Sequence, residues 1–318
     1  MGRPEINRRQ FMRAVAGTTA AVGAAAFAGP GLGMANAANG LLVPRGKIGI
    51  QLFTIRNLVS SLGFRVVFEE LARMGYHYVE FAGYTSPAEP GITPAQIKQL
   101  LDDNGLKGIG GHRGLNSFRS NMEEELDIAE TLGLPYIGTA NEPVSPPNRT
   151  IAGYHAAAEE FNGFGAAAAA RGIKWYHHNH QNEFRFANDD PSVRLYDILL
   201  AETDPHLVYL EMDIYWAFVG QHIAPGFDPA DYVKANMRRY PLFHAKDGES
   251  RPDLANGYNI VEFGAGDIDF QSFFRDIGAK GPHYALWEQD NAPSTPEERG
   301  GAFGAAERSY QALSTLRG

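Results

Sequence analysis

The chain has 318 residues, 44% of them hydrophobic, no cysteine, and a formal net charge of −9 at pH 7. That length holds one large domain, and barrels of the β/α type use ~250 residues as one. The missing cysteine excludes disulfides, thiolate nucleophiles and thiolate metal sites. The acidic balance, with no run of Lys and Arg past the first residues, argues against a nucleic-acid partner.

Residues 1–37 read as an export signal rather than part of the fold. Arg8 and Arg9 precede an uncharged stretch rich in Ala and Gly from Ala14 to Leu32, and Ala35-Asn36-Ala37 offers small residues for cleavage. The arginine pair and the weak hydrophobicity resemble a twin-arginine signal, so a periplasmic or secreted protein is expected. No stable membrane anchor is expected, because a span wants ~20 strongly apolar residues.

From about residue 46 to 318 a β-rich run, an amphipathic helical run and a Gly or Pro break recur. Strands are expected at Lys47–Phe53, Tyr76–Phe81, Leu106–Gly111, Pro135–Ala140, Ile173–His178, Leu207–Asp213, Leu242–Ala245 and Tyr284–Trp287. Helices are expected at Phe64–Met74, from Pro94 to Asn104, and at Met122–Leu132, Ile151–Ala170, Val193–Ala201, Pro229–Arg239, Phe270–Ile277 and Gly301–Leu316. Thr93 as N-cap with Pro94 behind it marks one start. Eight alternating units argue for a parallel sheet closed on itself, a single (β/α)8 TIM barrel. No G-x-G-x-x-G follows the first strand, which weighs against an open dinucleotide-binding sheet.

In such a barrel the chemistry sits at the carboxyl ends of the strands. Four consecutive ends carry HHNHQNEF (177–184), LEMDIYW (210–216), FHAKDG (243–248) and WEQD (287–290). Glu183, Asp213, His244 and Glu288 are the metal-competent side chains selected from them, at separations of 30, 31 and 44 residues, each close to one barrel unit. Three carboxylates and one imidazole favour one divalent ion, Mn²⁺ first, with Co²⁺, Mg²⁺ or catalytic Zn²⁺ as alternatives. Taken singly, any of these acids also suits a loop or a helix N-cap. Tyr176, His178 and His180 share one face of a strand. His112, His180, Arg56 and Trp216 are candidate substrate contacts, and Glu142 is a rival ligand.

The motifs GIQLFTIR (49–56), GYHYVEFAGY (75–84), HHNHQNEF, LEMDIYW, HAKD (244–247), FGAGDID (263–269) and WEQD together resemble the xylose-isomerase-like barrel superfamily, in its sugar phosphate isomerase/epimerase branch, over about Lys47 to Arg317. The resemblance implies a divalent ion held by two Glu, one Asp and one His, here Glu183, Asp213, His244 and Glu288. Many relatives carry a Glu within strand five, where this chain has the HNH run, so the first ligand stays open between Glu183 and His178.

The implied activity is isomerisation or epimerisation of a sugar or keto-sugar, by proton transfer through a metal-stabilised enediolate. Glu183, Glu288, His178 and Lys246 are the candidate catalytic residues. The same first step permits β-elimination, as in a 3-keto-glycoside lyase or hydratase. A non-catalytic periplasmic sugar-binding protein is a further alternative, and a homo-oligomer is left open.

Overall fold

Seven short strands, β1 (Ile48–Gln51), β2 (Tyr78–Phe81), β3 (Lys107–Gly111), β4 (Tyr136–Thr139), β5 (Lys174–His178), β6 (Val208–Asp213) and β7 (Leu242–Ala245), run parallel with β10 (Tyr284–Trp287) in this computed structural model. It describes residues 40–278 and 283–318, so the expected export signal lies outside the described residues. The strand order β3-β2-β1-β10-β7-β6-β5-β4 is nearly a closed ring, and a parallel bridge from His112 to Gly138 joins its two ends. This is an α/β TIM barrel. Strands β8 (Asp247–Ser250) and β9 (Tyr258–Val261) form an antiparallel hairpin on the loop after β7.

Nine helices are described outside the ring: α1 (Arg56–Met74), α2 (Pro94–Asp103), α3 (Leu115–Leu132), α4 (Ile151–Ala170), α5 (Leu195–Glu202), α6 (Ile214–Ile223), α7 (Pro229–Ala235), α8 (Phe270–Asp276) and α9 (Gly301–Ser314). Thr93 starts α2 with a full capping box: Gln96 N–H donates to the Thr93 hydroxyl, and the Thr93 N–H donates to Gln96 Oε1 at 2.9 Å. Gly63, at φ +84°, breaks α1 into two pieces, a backbone geometry that other residues rarely adopt. The expected start at Phe64 is therefore the second piece, and Glu89 caps it by accepting from Phe64 N–H at 2.6 Å.

Strands covered on both faces read as continuous apolar runs. Their outward side chains, among them Val79, Phe81, Trp175, Met212, Phe243 and Trp287, pack under the helices in the main core. Inside the ring, Ile109, Tyr136, Tyr176, Leu242 and Leu286 form a separate apolar floor. Above that floor the lumen turns polar: Gln51, Glu80, His178, Glu211, Asp213, His244 and Glu288 are all at most 5% exposed. Strand register fixes the neighbours, setting His178 beside Glu211 and Asp213 beside His244.

Candidate metal centre

Four side chains from successive strands converge at the carboxyl ends. His178, Asp213, His244 and Glu288 each present one ligand-competent atom, and these atoms lie within 4.8 Å of one another. Asp213 Oδ2 is 3.8 Å from His178 Nε2 and 3.8 Å from His244 Nδ1. His244 Nδ1 is 2.9 Å from Glu288 Oε2. Asp213 also caps α6, because its Oδ1 accepts from Trp216 N–H at 2.8 Å. Its other oxygen makes no aligned hydrogen bond but lies 3.1 Å from the Lys246 ammonium, and a positive charge at that distance offsets part of the cost of burying a carboxylate.

The far nitrogens of the two imidazoles are tied to carboxylates deeper in the barrel. His178 Nδ1 lies 2.9 Å from Glu211 Oε2. His244 Nε2 lies 2.7 Å from Glu80 Oε2 and 3.2 Å from Glu211 Oε2. His112 Nε2 reaches the same Glu211 oxygen at 2.9 Å. Glu80 in turn accepts from Gln51 Nε2 at 2.8 Å and from the Tyr176 hydroxyl. Carboxylates behind ligating histidines fix ring orientation and tautomer. His112, His178, Glu211 and His244 are themselves close enough to form a second candidate group. Each shared ring nevertheless turns one nitrogen to Glu211 and the other to the outer acids. The inner carboxylates thus orient the rings, and the outer set is the better fit for an ion.

Electrostatics follow the packing. Burial is the main reason the Asp213 carboxyl is pushed up to about 6, with Lys246 and His244 acting against the rise. Burial would also raise Glu288, but Lys246 and His244 outweigh it and hold that carboxyl well below its usual range. Burial opposes charge on His244 too, yet Glu211, Glu288 and Glu80 keep it protonated well above the ordinary histidine range. His178, buried and next to that positive charge, is held neutral. Lys246 Nζ sits 2.7 Å from Glu288 Oε2, 3.1 Å from Asp213 Oδ2 and 3.0 Å from Asp290 Oδ2. These acids raise its pKa against the effect of burial.

Glu183 does not join the group. After Asn179 the chain turns into a one-turn 3-10 helix, Asn182–Phe184, which carries the carboxylate out of the barrel. Its Oε2 accepts from His180 N–H at 3.1 Å, and its Oε1 lies 3.6 Å from His177 Nε2. Among the described residues His178, and not Glu183, is the strand-five side chain in the candidate metal group. Glu142, the rival ligand, is paired with Arg149 and Asn182. His180 and the half-buried Trp216 stand at the mouth with ring centroids 5.6 Å apart. Arg56 is exposed on the rim, donating to the carbonyls of Phe53 and Asp290. Glu211 was not singled out as a site group from sequence. It was legible in principle, because two residues before Asp213 on a strand means the same face.

A family model for the xylose isomerase-like TIM barrel matches residues 68–309, and the chain belongs to that family. Among solved structures, a sugar phosphate isomerase/epimerase from Parabacteroides distasonis ATCC 8503 superposes with a TM-score of 0.67 at 23% identity, covering 85% of this chain and 94% of its own. The IolI protein, described with a binding zinc atom, gives 0.60 at 16% identity, over 85% of this chain and 98% of its own. The probable 3-DHS dehydratase AsbF from Bacillus anthracis gives 0.61 at 13% identity, over 84% and 98%. No curated protein matches the chain by sequence. Among the described residues, no helix is long and apolar enough to cross a membrane.

Proposed function

We propose that the protein is a divalent-metal-dependent enzyme that moves a proton next to the carbonyl of a sugar or keto-sugar, giving isomerisation or epimerisation. The convergence of His178, Asp213, His244 and Glu288 at one point carries this reading. Two imidazole nitrogens and two carboxylate oxygens suit Mn²⁺, Co²⁺ or Zn²⁺ better than Mg²⁺. A divalent ion there supplies a Lewis acid for a carbonyl and a neighbouring hydroxyl. Glu288, ionised and 2.7 Å from the Lys246 ammonium, is the base that takes the proton. Lys246, shared by Asp213, Glu288 and Asp290, holds Glu288 in place and ionised. His180, which burial keeps neutral, and Trp216 hold the sugar's hydroxyls and ring face.

A second reading has one specific support. With Glu183 turned away, Glu288 has no carboxylate opposite it from strand five, so return of the proton to the other face lacks an obvious acid. The same abstraction followed by loss of a neighbouring group is a lyase or hydratase reaction, and one structural neighbour is named a probable dehydratase. Product analysis separates the two: a released group indicates elimination, and altered stereochemistry alone indicates epimerisation.

Export of the folded protein through a twin-arginine signal in residues 1–37 belongs to the same proposal. Replacing Arg8 and Arg9 by Lys should retain the protein in the cytoplasm. The centre itself is tested by elemental analysis of the purified protein. About one divalent ion per chain, lost in Asp213→Ala and in His244→Ala, is expected. A protein that holds no ion and takes none up on titration would overturn the reading.

A further inference from the structure

We infer that this site takes an uncharged sugar or glycoside and rejects the corresponding phosphate ester. The inference rests on the keto-sugar reading above and narrows its substrate class.

Phosphate sites are built from positive side chains or backbone N–H groups that are free to face the ligand. Here the cations on the loops above the strands are already engaged. Lys246, the only lysine among the central groups, is shared by Asp213, Glu288 and Asp290. Arg113 is 2.7 Å from Glu125, and Arg149 is paired with Glu142. Arg299 is 2.8 Å from Glu262. Arg56 spends one terminal nitrogen on the Phe53 carbonyl at 2.7 Å and the other on the Asp290 carbonyl at 3.0 Å. Arg185 is exposed and donates to the Asn182 side chain at 3.0 Å. The carbonyl partners of Arg56 carry no charge, so among the described residues a phosphate would have to depend on Arg185 or Arg56.

The acids point the same way. Glu80, Glu211, Asp213 and Glu288 are all buried around the centre, with Asp290 half-buried above them. Five carboxylates exceed what one ammonium, the His112 imidazole paired with Glu211 and one divalent ion neutralise. A low-dielectric cleft lined by one sign of charge concentrates that field and repels a dianion. The rim offers apolar surface as well. Phe53, in the 3-10 turn Leu52–Ile55 that follows β1, is 40% exposed under the Arg56 guanidinium, whose centre lies 4.1 Å from the ring centroid. Trp216 is half-buried beside His180. Aromatic faces of this kind suit the C–H face of a sugar or an apolar aglycone.

The test is thermal denaturation of the metal-loaded full chain with matched ligand pairs: D-fructose against D-fructose 6-phosphate, and methyl 3-keto-glucoside against its 6-phosphate. A ligand that binds only the native state raises Tm with its occupancy. Each uncharged sugar is expected to raise Tm at concentrations at least about tenfold lower than its ester, the scale on which like-charge contacts discriminate partners. Asp290→Asn releases one of the acids on Lys246 and is expected to narrow that ratio. An ester that binds more tightly than its sugar overturns the inference, and loss of that binding in Arg185→Ala would show where the phosphate sits. An Asp290→Asn ratio equal to that of the parent would overturn the argument from engaged cations. If no sugar or ester shifts Tm while the ion stays bound, the keto-sugar reading itself fails, and the inference falls with it.

Discussion

His177 and His178 are adjacent on β5, yet the pleat sends them to opposite sides of the barrel wall. His178 points into the lumen. Its Nδ1 meets Glu211 at 2.9 Å, and its Nε2 faces Asp213 at 3.8 Å. His177 points out toward α4, with its ring centroid 5.3 Å from that of Phe161. Neither of its ring nitrogens has a hydrogen-bond partner among the described residues. The two acids near them divide in the same way. Glu211, inside, gathers three imidazoles, whereas Glu183, outside, holds a loop amide and stands near His177. Residue type does not distinguish these pairs. What does is which face of the strand looks onto a lumen already lined with opposing polar groups.

The largest expected effect breaks that comparison directly. His178→Ala removes a ligand-competent nitrogen and should lower metal affinity by more than about 100-fold, beyond the upper end of what loss of a supporting partner costs. Turnover should fall with it. His177→Phe should keep the ion and most of the activity. Metal content after dialysis, measured beside keto-sugar turnover, reads both. Equal losses in the two variants would mean that the inner and outer faces are not functionally distinct.

A smaller effect is expected one layer back. Glu211→Gln cannot accept from three imidazoles, so the rings lose their fixed orientation. Metal affinity should drop about 10- to 100-fold without loss of the fold. Glu183→Gln should leave metal affinity near that of the parent. Metal titration of both variants, with circular dichroism as the folding control, would reverse the assignment if Glu183 proved the more sensitive position.

Much of this arrangement was legible in the chain. The eight strand–helix units showed themselves because their apolar runs end at Gly or Pro breaks, and β7 and β10 fall where the pattern put them. Asp213, His244 and Glu288 sit at strand ends one barrel unit apart, which is why they could be picked out together. Other elements left no periodic mark. Helix α6 begins directly behind β6, so LEMDIYWAFVG reads as one apolar run with no breaker between strand and helix. The β8–β9 hairpin is rich in polar residues and resembles a loop. The choice between Glu183 and His178 needed the path of the backbone after Asn179, because a single turn of 3-10 helix decides which side of the wall Glu183 occupies.

The comparison also has a pH signature. In the metal-free centre His244 carries a proton at neutral pH, because Glu211, Glu288 and Glu80 outweigh the effect of burial. Burial lifts the Asp213 carboxyl from its ordinary 3.8 to about 6, so it is ionised at neutral pH and increasingly protonated below about 6. A metal ion needs both groups deprotonated. Uptake at pH 7 should therefore release about one proton, from His244, and below pH 6 about two, as Asp213 adds its own. Metal affinity should fall as pH falls, more steeply below pH 6. Calorimetric titration in buffers of different ionisation enthalpy counts the protons. A count that stays the same between pH 5 and 7.5 would contradict the Asp213 shift.

The smallest effect is expected from two buried tyrosines. Tyr176 lies inside the barrel, where its hydroxyl donates to Glu80. Tyr154 lies outside on α4, and its hydroxyl is buried with no partner among the described residues. Tyr176→Phe removes a hydrogen bond to a charged group and should cost about 1.5–3 kcal/mol. It should also loosen the Glu80–His244 contact and so weaken metal binding. Tyr154→Phe gives up no such bond. Its stability should fall within about 0.5 kcal/mol of the parent, with any larger change on the stabilising side, because a buried unpaired hydroxyl carries a desolvation cost. Urea denaturation of the two variants measures the difference. A loss at Tyr154 as large as that at Tyr176 would mean that the outer cluster of Tyr154, His177 and Glu183 is held together by more than packing, and would erase the line drawn here between the two faces of β5.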